Sequence, residues 1–223
     1  MNAPDHPPCG AGTRPAFDDA FRDTLETLLV WRRDVRRFRT DPLPDGLLDH
    51  LLSLTALSPS VGNAQPWRFV IVEDPARRKS IVANFERANA DALSDYDGEQ
   101  AELYAGLKLA GLREAPVHLA VYCDGESELG HGLGRRTMPE MLAYSVVGAI
   151  TTLWLAARAH GVGLGWVSIL DPAEVDRTLD VPAAWRLVGY LCLGFPQVEH
   201  DTPELVRAGW QDRVDIGEFI LKR

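Results

Sequence analysis

Four arginines and one aspartate fall within six residues, Arg32-Arg33-Asp34-Val35-Arg36-Arg37, directly after an apolar helical stretch and shortly before Pro42 and Pro44. A cluster this dense suits a phosphate, because each guanidinium offers a planar fork of donors and stays charged at any working pH. The same residues also read as a solvated basic helix end, where cations complement the macrodipole. The whole chain of 223 residues carries a formal net charge of −9, so positive charge is concentrated here against the average. That balance argues against a nucleic-acid partner, which needs a broad cationic face, and points to a small anion.

Other chemistries find less support. The six histidines (His6, His50, His118, His131, His160 and His200) are scattered without metal-ligand spacing, so no metal is expected. Cys9, Cys123 and Cys192 form no CxxC; Cys123 and Cys192 sit in strand-like apolar runs and read as buried reduced thiols, which fits a cytoplasmic protein. Gly161-Val162-Gly163-Leu164-Gly165 has the wrong order for a dinucleotide fingerprint, since its glycines end a helix and open a strand. They are better read as a helix cap followed by close packing.

The elements that must position these residues can be placed in order. The proline- and glycine-rich residues 1–15 read as a mobile tail with no secretory signal, and 16–223 as one domain. Phe17, Phe21, Leu25, Leu28 and Leu29 recur at helical spacing up to about Val30. Asp45 is the expected N-cap of a second helix through Leu54. Strands are expected over Trp67–Glu73, Val117–Cys123 and Trp185–Phe195, with helices from Pro75, over Ala101–Leu112 and from Pro172. Residues 124–136 are glycine-rich and fit either a plain surface loop or part of a lid over residues 124–140. From Met141 to Ala157 no residue is charged, but Ser145, Gly148, Thr151 and Thr152 dilute the run and no polybasic flank exists. A core or subunit-interface helix is expected there, not a membrane span.

Some twenty residues after the arginines comes a second motif, Ser58-Pro59-Ser60-Val61-Gly62-Asn63-Ala64-Gln65-Pro66-Trp67-Arg68-Phe69. The pair of motifs, with the order of elements from about residue 22 to the end, resembles the FMN-dependent nitroreductase family. That resemblance implies an α+β fold with a mixed central sheet flanked by helices. It implies an obligate homodimer with FMN at each interface and an extended C-terminal tail exchanged with the partner. By the same resemblance Arg32 binds the flavin phosphate with Arg33 nearby, and Arg36 reaches the ribityl and pyrimidine oxygens. Ser60 and Asn63 come from the other subunit, Lys108 contacts the pyrimidine edge, and Arg213 closes on the phosphate.

Two departures narrow the resemblance. Where family reductases often carry serine, this chain has Asp34, which the neighbouring arginines should hold ionised, or which orients them by salt bridging. Gly165-Trp166-Val167-Ser168-Ile169-Leu170 occupies the stretch that faces flavin N5, so Ser168 would present a hydroxyl and Ile169 an amide donor there; Ser168 also reads simply as a strand end. Asp34, Leu133–Met141 and Gly165–Leu170 together resemble the branch of the family for which reduced FMN is the substrate. In that branch O2 is the co-substrate, and the flavin is fragmented to 5,6-dimethylbenzimidazole, the lower ligand of vitamin B12, and erythrose 4-phosphate. Asp34 and Ser168 would be its catalytic residues, and a separate flavin reductase would supply the reduced flavin. An NAD(P)H-dependent nitroreductase or flavin reductase shares the same arginines, and a non-enzymatic flavin-binding protein is a third reading.

Overall fold

The computed structural model describes residues 15–106 and 111–223, so the N-terminal tail expected over 1–15 falls almost wholly outside the described residues, as does Lys108. Four strands form one sheet: β1 (Trp67–Ile71), β2 (Val117–Asp124), β3 (Gly163–Val167) and β4 (Trp185–Gly194), in the order β1-β2-β4-β3. Every pairing among them is antiparallel. Among the described residues, parallel pairing, the feature that would make the sheet mixed, enters only as an isolated bridge between Asp34 and Leu164. The β2–β4 ladder slips at Val121/Tyr122, where a bulge interrupts the register.

The sheet separates two apolar layers by its alternation. Leu119, Val121, Leu191 and Leu193 face one side with α6 (Met141–Ala159) and α2 (Leu47–Thr55), whereas Ala120, Tyr122, Tyr190 and Cys192 face α3 (Pro75–Leu93) and α7 (Pro172–Leu179). Both faces being covered explains why β2 and β4 read as continuous apolar runs. Pro75 and Pro172 open their helices behind the capping carboxylates of Asp74 and Asp171, which accept from Ala76 and Ala173 N–H.

Helix α6 has the length and composition of a membrane span, but Leu142, Val146, Ala149, Ile150, Leu153 and Ala157 recur along one face and fill the core. Its opposite face leaves Tyr144 and Val147 exposed. Helix α1 (Asp19–Trp31) buries no residue at all, and Phe17, Phe21, Leu25 and Leu29 lie open.

One local expectation changes. The residue at the start of α2 is Gly46, in the left-handed region at φ 75°, not Asp45; with Pro44 accepting from Leu47 N–H, the chain enters the helix through a turn that a carboxylate cap does not fit. Of the helix expected over Ala101–Leu112, the described residues are helical, in α4 (Gly98–Gly106) and α5 (Gly111–Glu114), while 107–110 lie outside the described residues. After β4 the chain is largely extended apart from α8 (Glu204–Arg207) and a single turn at Ile216–Phe219.

Candidate functional site

The arginine segment leaves α1 and runs along the free edge of β3. Val35 N–H donates to Leu164 O at 3.0 Å, and Arg39 N–H donates to Phe195 O at 2.8 Å. Glycines make this approach possible. A Cβ on Gly165 would lie 2.2 Å from the Val35 carbonyl oxygen, and one on Gly163 would lie 2.7 Å from Val35 Cγ2. Phe38 anchors the far end, fully buried, with its N–H donating to Glu114 Oε2 at 3.1 Å and its carbonyl accepting from Gln197 Nε2 at 2.9 Å. The glycine run is thus close packing, as its order suggests, and its partner is the arginine strand.

Asp34 is fixed by that arrangement. Its Oδ1 accepts from Trp166 N–H at 2.9 Å, and its Oδ2 lies 3.4 Å from Arg36 Nε. Its side chain keeps 37% of its surface, so the carboxylate faces a cleft, not the core. Even so, the protein packed around it raises its pKa above the ordinary carboxylate value: desolvation outweighs the lowering by the Trp166 N–H and Arg36, and Glu204 adds to the rise. Among the arginines of the described residues only Arg36 touches it, so burial outweighs the attraction that the sequence cluster suggests. Beside it, Cys192 is buried with its thiol pushed up to about 12 by desolvation first and Asp34 second, and is no nucleophile at neutral pH.

The remaining arginines form a cationic group. Arg33 has its pKa lowered by desolvation and then by the charges of Arg32 and Arg213, while Asp201 opposes the fall. Its Nε is buried and, among the described residues, meets no hydrogen-bond acceptor. Mutually repelling guanidiniums with an unsatisfied buried donor fit a bound anion such as a phosphate. A cavity of about 220 Å³ opens against the segment, lined by Arg33, Asp34, Arg36, Trp154, Glu204 and Arg207 among others. A smaller cleft shares Asp34 and Arg36 with it and is lined also by Gly165, Trp166 and Val167.

The sequence-derived candidates therefore fall into groups. Arg33, Asp34 and Arg36 share the cavity wall; Arg32 packs its guanidinium 4.9 Å from the Trp154 ring; Arg213 lies within electrostatic reach of Arg33. Ser168 and Ile169 directly follow β3, one and two residues beyond the cleft-lining Val167, with Ser168 exposed. Ser60 and Asn63 line neither cavity of this chain. Instead Ser60 Oγ accepts from Gln65 N–H at 3.0 Å, while Asn63 is exposed at φ 55°. The loop over 124–140 interlocks with that Ser-Pro-Ser loop, where a Cβ on Gly130 would lie 2.3 Å from Gly62 O. Sequence reasoning missed Trp154, Arg158 and the Trp166 amide. Trp154 and Arg158 stand one helical turn apart on α6, a spacing that could have signalled a shared face.

Comparison with known proteins agrees with this geometry. The sequence model of the nitroreductase family matches residues 29–195. The chain is 58% identical over 201 residues, 90% of its length and 95% of the relative's, to a 5,6-dimethylbenzimidazole synthase of Rhodospirillum rubrum. It is 51% identical over 198 residues, 89% of its length and 96% of the relative's, to a 5,6-dimethylbenzimidazole synthase of Rhodobacter capsulatus. Among solved structures, oxidized iodotyrosine deiodinase bound to FMN and 3-iodo-L-tyrosine is similar at a TM-score of 0.67 and 29% identity, covering 79% of this chain and 91% of that one.

Proposed function

The chain belongs to the nitroreductase family, and on that premise we propose that it is a 5,6-dimethylbenzimidazole synthase that consumes reduced FMN with O2. Among the products are 5,6-dimethylbenzimidazole and erythrose 4-phosphate, with the remaining carbons and nitrogens of the flavin pyrimidine ring leaving as a separate fragment. The observation that carries this reading is Asp34, a carboxylate oriented by the Trp166 amide and Arg36 in a cleft, with a raised pKa, in a chain 58% identical to a synthase of that name.

The residues divide the work. Arg32, Arg33 and Arg213 hold the flavin phosphate, which supplies the acceptor that Arg33 Nε lacks. Arg36 binds ribityl and pyrimidine oxygens, and Lys108 the pyrimidine edge. Ser168 and the Ile169 N–H stand at flavin N5. Reduced flavin reacts with O2 without a metal. Cleaving a ribityl carbon–carbon bond in retro-aldol fashion needs a base at a sugar hydroxyl. Asp34 accepts that proton, and its raised pKa makes it a better acceptor than an ordinary carboxylate. Residues 124–140 act as a lid that excludes water.

The working unit is a homodimer. The uncovered apolar side chains of α1, the outer face of α6 and the tail residues Ile216, Phe219, Ile220 and Leu221 support it, as does the fact that Ser60 and Asn63 do not line the arginine cavity of their own chain. The tail crosses to the partner, and Ser60 and Asn63 complete the partner's site. Reduced FMN comes from a separate flavin reductase. Cys123 and Cys192, both unpaired and buried, suit a reducing cytoplasm.

The test is direct: bind FMN, reduce it anaerobically, admit air and follow the flavin spectrum. Incomplete return of oxidised flavin with dimethylbenzimidazole in the mass spectrum is the expected result. Quantitative return would make the protein a reductase or a flavin carrier, and bleaching by NADPH would then identify the reductase.

A further inference from the structure

Trp154 stands on α6 between the arginine pair and the strand that orients Asp34. Its ring lies 4.9 Å from the Arg32 guanidinium carbon, and its Nε1–H donates to the Arg33 carbonyl at 3.1 Å. Its other neighbour is Trp166, ring to ring at 6.3 Å, whose backbone N–H holds Asp34. The half-buried indole thus touches both arginines by different means.

The two contacts do one job. A cation–π contact uses the face of the guanidinium and leaves its edge donors available to an anion. Without it, Arg32 would be free to turn away from Arg33 and Arg213, because like charges repel; that repulsion already contributes to the lowered pKa of Arg33. The indole N–H fixes the Arg33 backbone, and with it the direction in which the Arg33 side chain leaves the strand. Trp154 itself carries no charge and needs no contact with the ligand.

We propose that Trp154 is a positioning residue that aims Arg32 and Arg33 at the flavin phosphate and so sets the preference of the site for phosphorylated over unphosphorylated flavin. The proposal rests on the flavin-phosphate assignment above. Trp154→Phe keeps a ring for Arg32 and removes the N–H donor; Trp154→Leu removes both.

Oxidised FMN and riboflavin are titrated separately into the full-length wild-type protein and each variant, with flavin fluorescence as the readout. The wild type is expected to prefer FMN. Trp154→Phe should weaken FMN binding about threefold, the loss of one hydrogen bond, and Trp154→Leu about tenfold or more. Riboflavin affinity should stay within about twofold of wild type in both, because the effect passes through the phosphate. Equal weakening of FMN and riboflavin would assign Trp154 to general packing of α6 and overturn the proposal, as would unchanged FMN binding in both variants. A wild type that does not distinguish the two flavins removes the phosphate assignment itself, and this proposal with it.

Discussion

Gly165→Ala adds one methyl group at the point where β3 meets the arginine strand. The new Cβ would lie 2.2 Å from the Val35 carbonyl oxygen, against an ordinary contact of about 3.5 Å, so the two strands must separate by roughly 1 Å. That movement stretches the Val35 N–H to Leu164 O bond and the Trp166 N–H to Asp34 Oδ1 bond, now 3.0 and 2.9 Å. The first is a neutral hydrogen bond, about 1 kcal/mol, and the second ends on a carboxylate, about 2 kcal/mol. Overpacking adds about 1–3 kcal/mol, and the reduced freedom of alanine in the unfolded chain returns about 1. The net cost is about 4 kcal/mol, a large share of the roughly 5–15 kcal/mol that holds a domain folded. Urea unfolding followed by tryptophan fluorescence measures it, with the slope against urea expected to be unchanged. Product formation per folded molecule should also fall, because Asp34 loses its orienting donor. A loss below about 1 kcal/mol with unaltered activity would refute the idea that glycine is required for this contact.

Two further outcomes follow from titratable groups. Asp34→Asn should lower product formation at least about 100-fold while FMN binding changes less than about tenfold, and the wild-type rate should fall in acid with a midpoint above the ordinary carboxylate value; a variant that works at the wild-type rate would remove Asp34 from the chemistry. His118 is buried against Tyr190, its Nδ1 3.0 Å from the hydroxyl, and burial lowers its pKa to about 4 from 6.5. Between those values the unfolded chain binds a proton that the folded one refuses. His118 therefore costs nothing above pH 6.5 and withdraws about 3 kcal/mol of stability as pH falls to 4. In urea titrations across that range, His118→Asn should lose correspondingly less stability than the wild type; equal slopes would contradict the assignment.

Much of the frame was legible because it depends on local chemistry. Asp74-Pro75 and Asp171-Pro172 announce helix starts, the helical spacing of Phe17 to Leu29 marks α1, and the order of glycines around Gly161–Gly165 excludes a dinucleotide loop. What escaped depends on neighbours distant in sequence. The antiparallel order β1-β2-β4-β3 follows from pairing between strands separated by about 25 to 75 residues of chain. Asp34 sits among arginines in sequence, so attraction looked decisive, yet in space only Arg36 reaches it and the surrounding protein prevails. Trp154 is 121 residues from Arg33, and nothing local marks an indole in an apolar helix as the brace of a cationic cluster.

Whether the flavin is consumed is best measured as a mass balance. The protein with one equivalent of reduced FMN is mixed with aerated buffer for a single turnover, and FMN, dimethylbenzimidazole and erythrose 4-phosphate are each quantified. The proposed chemistry requires one molecule of each product for every FMN that disappears, and no such loss with Asp34→Asn. Complete recovery of FMN, with the O2 consumed appearing as hydrogen peroxide, would contradict it.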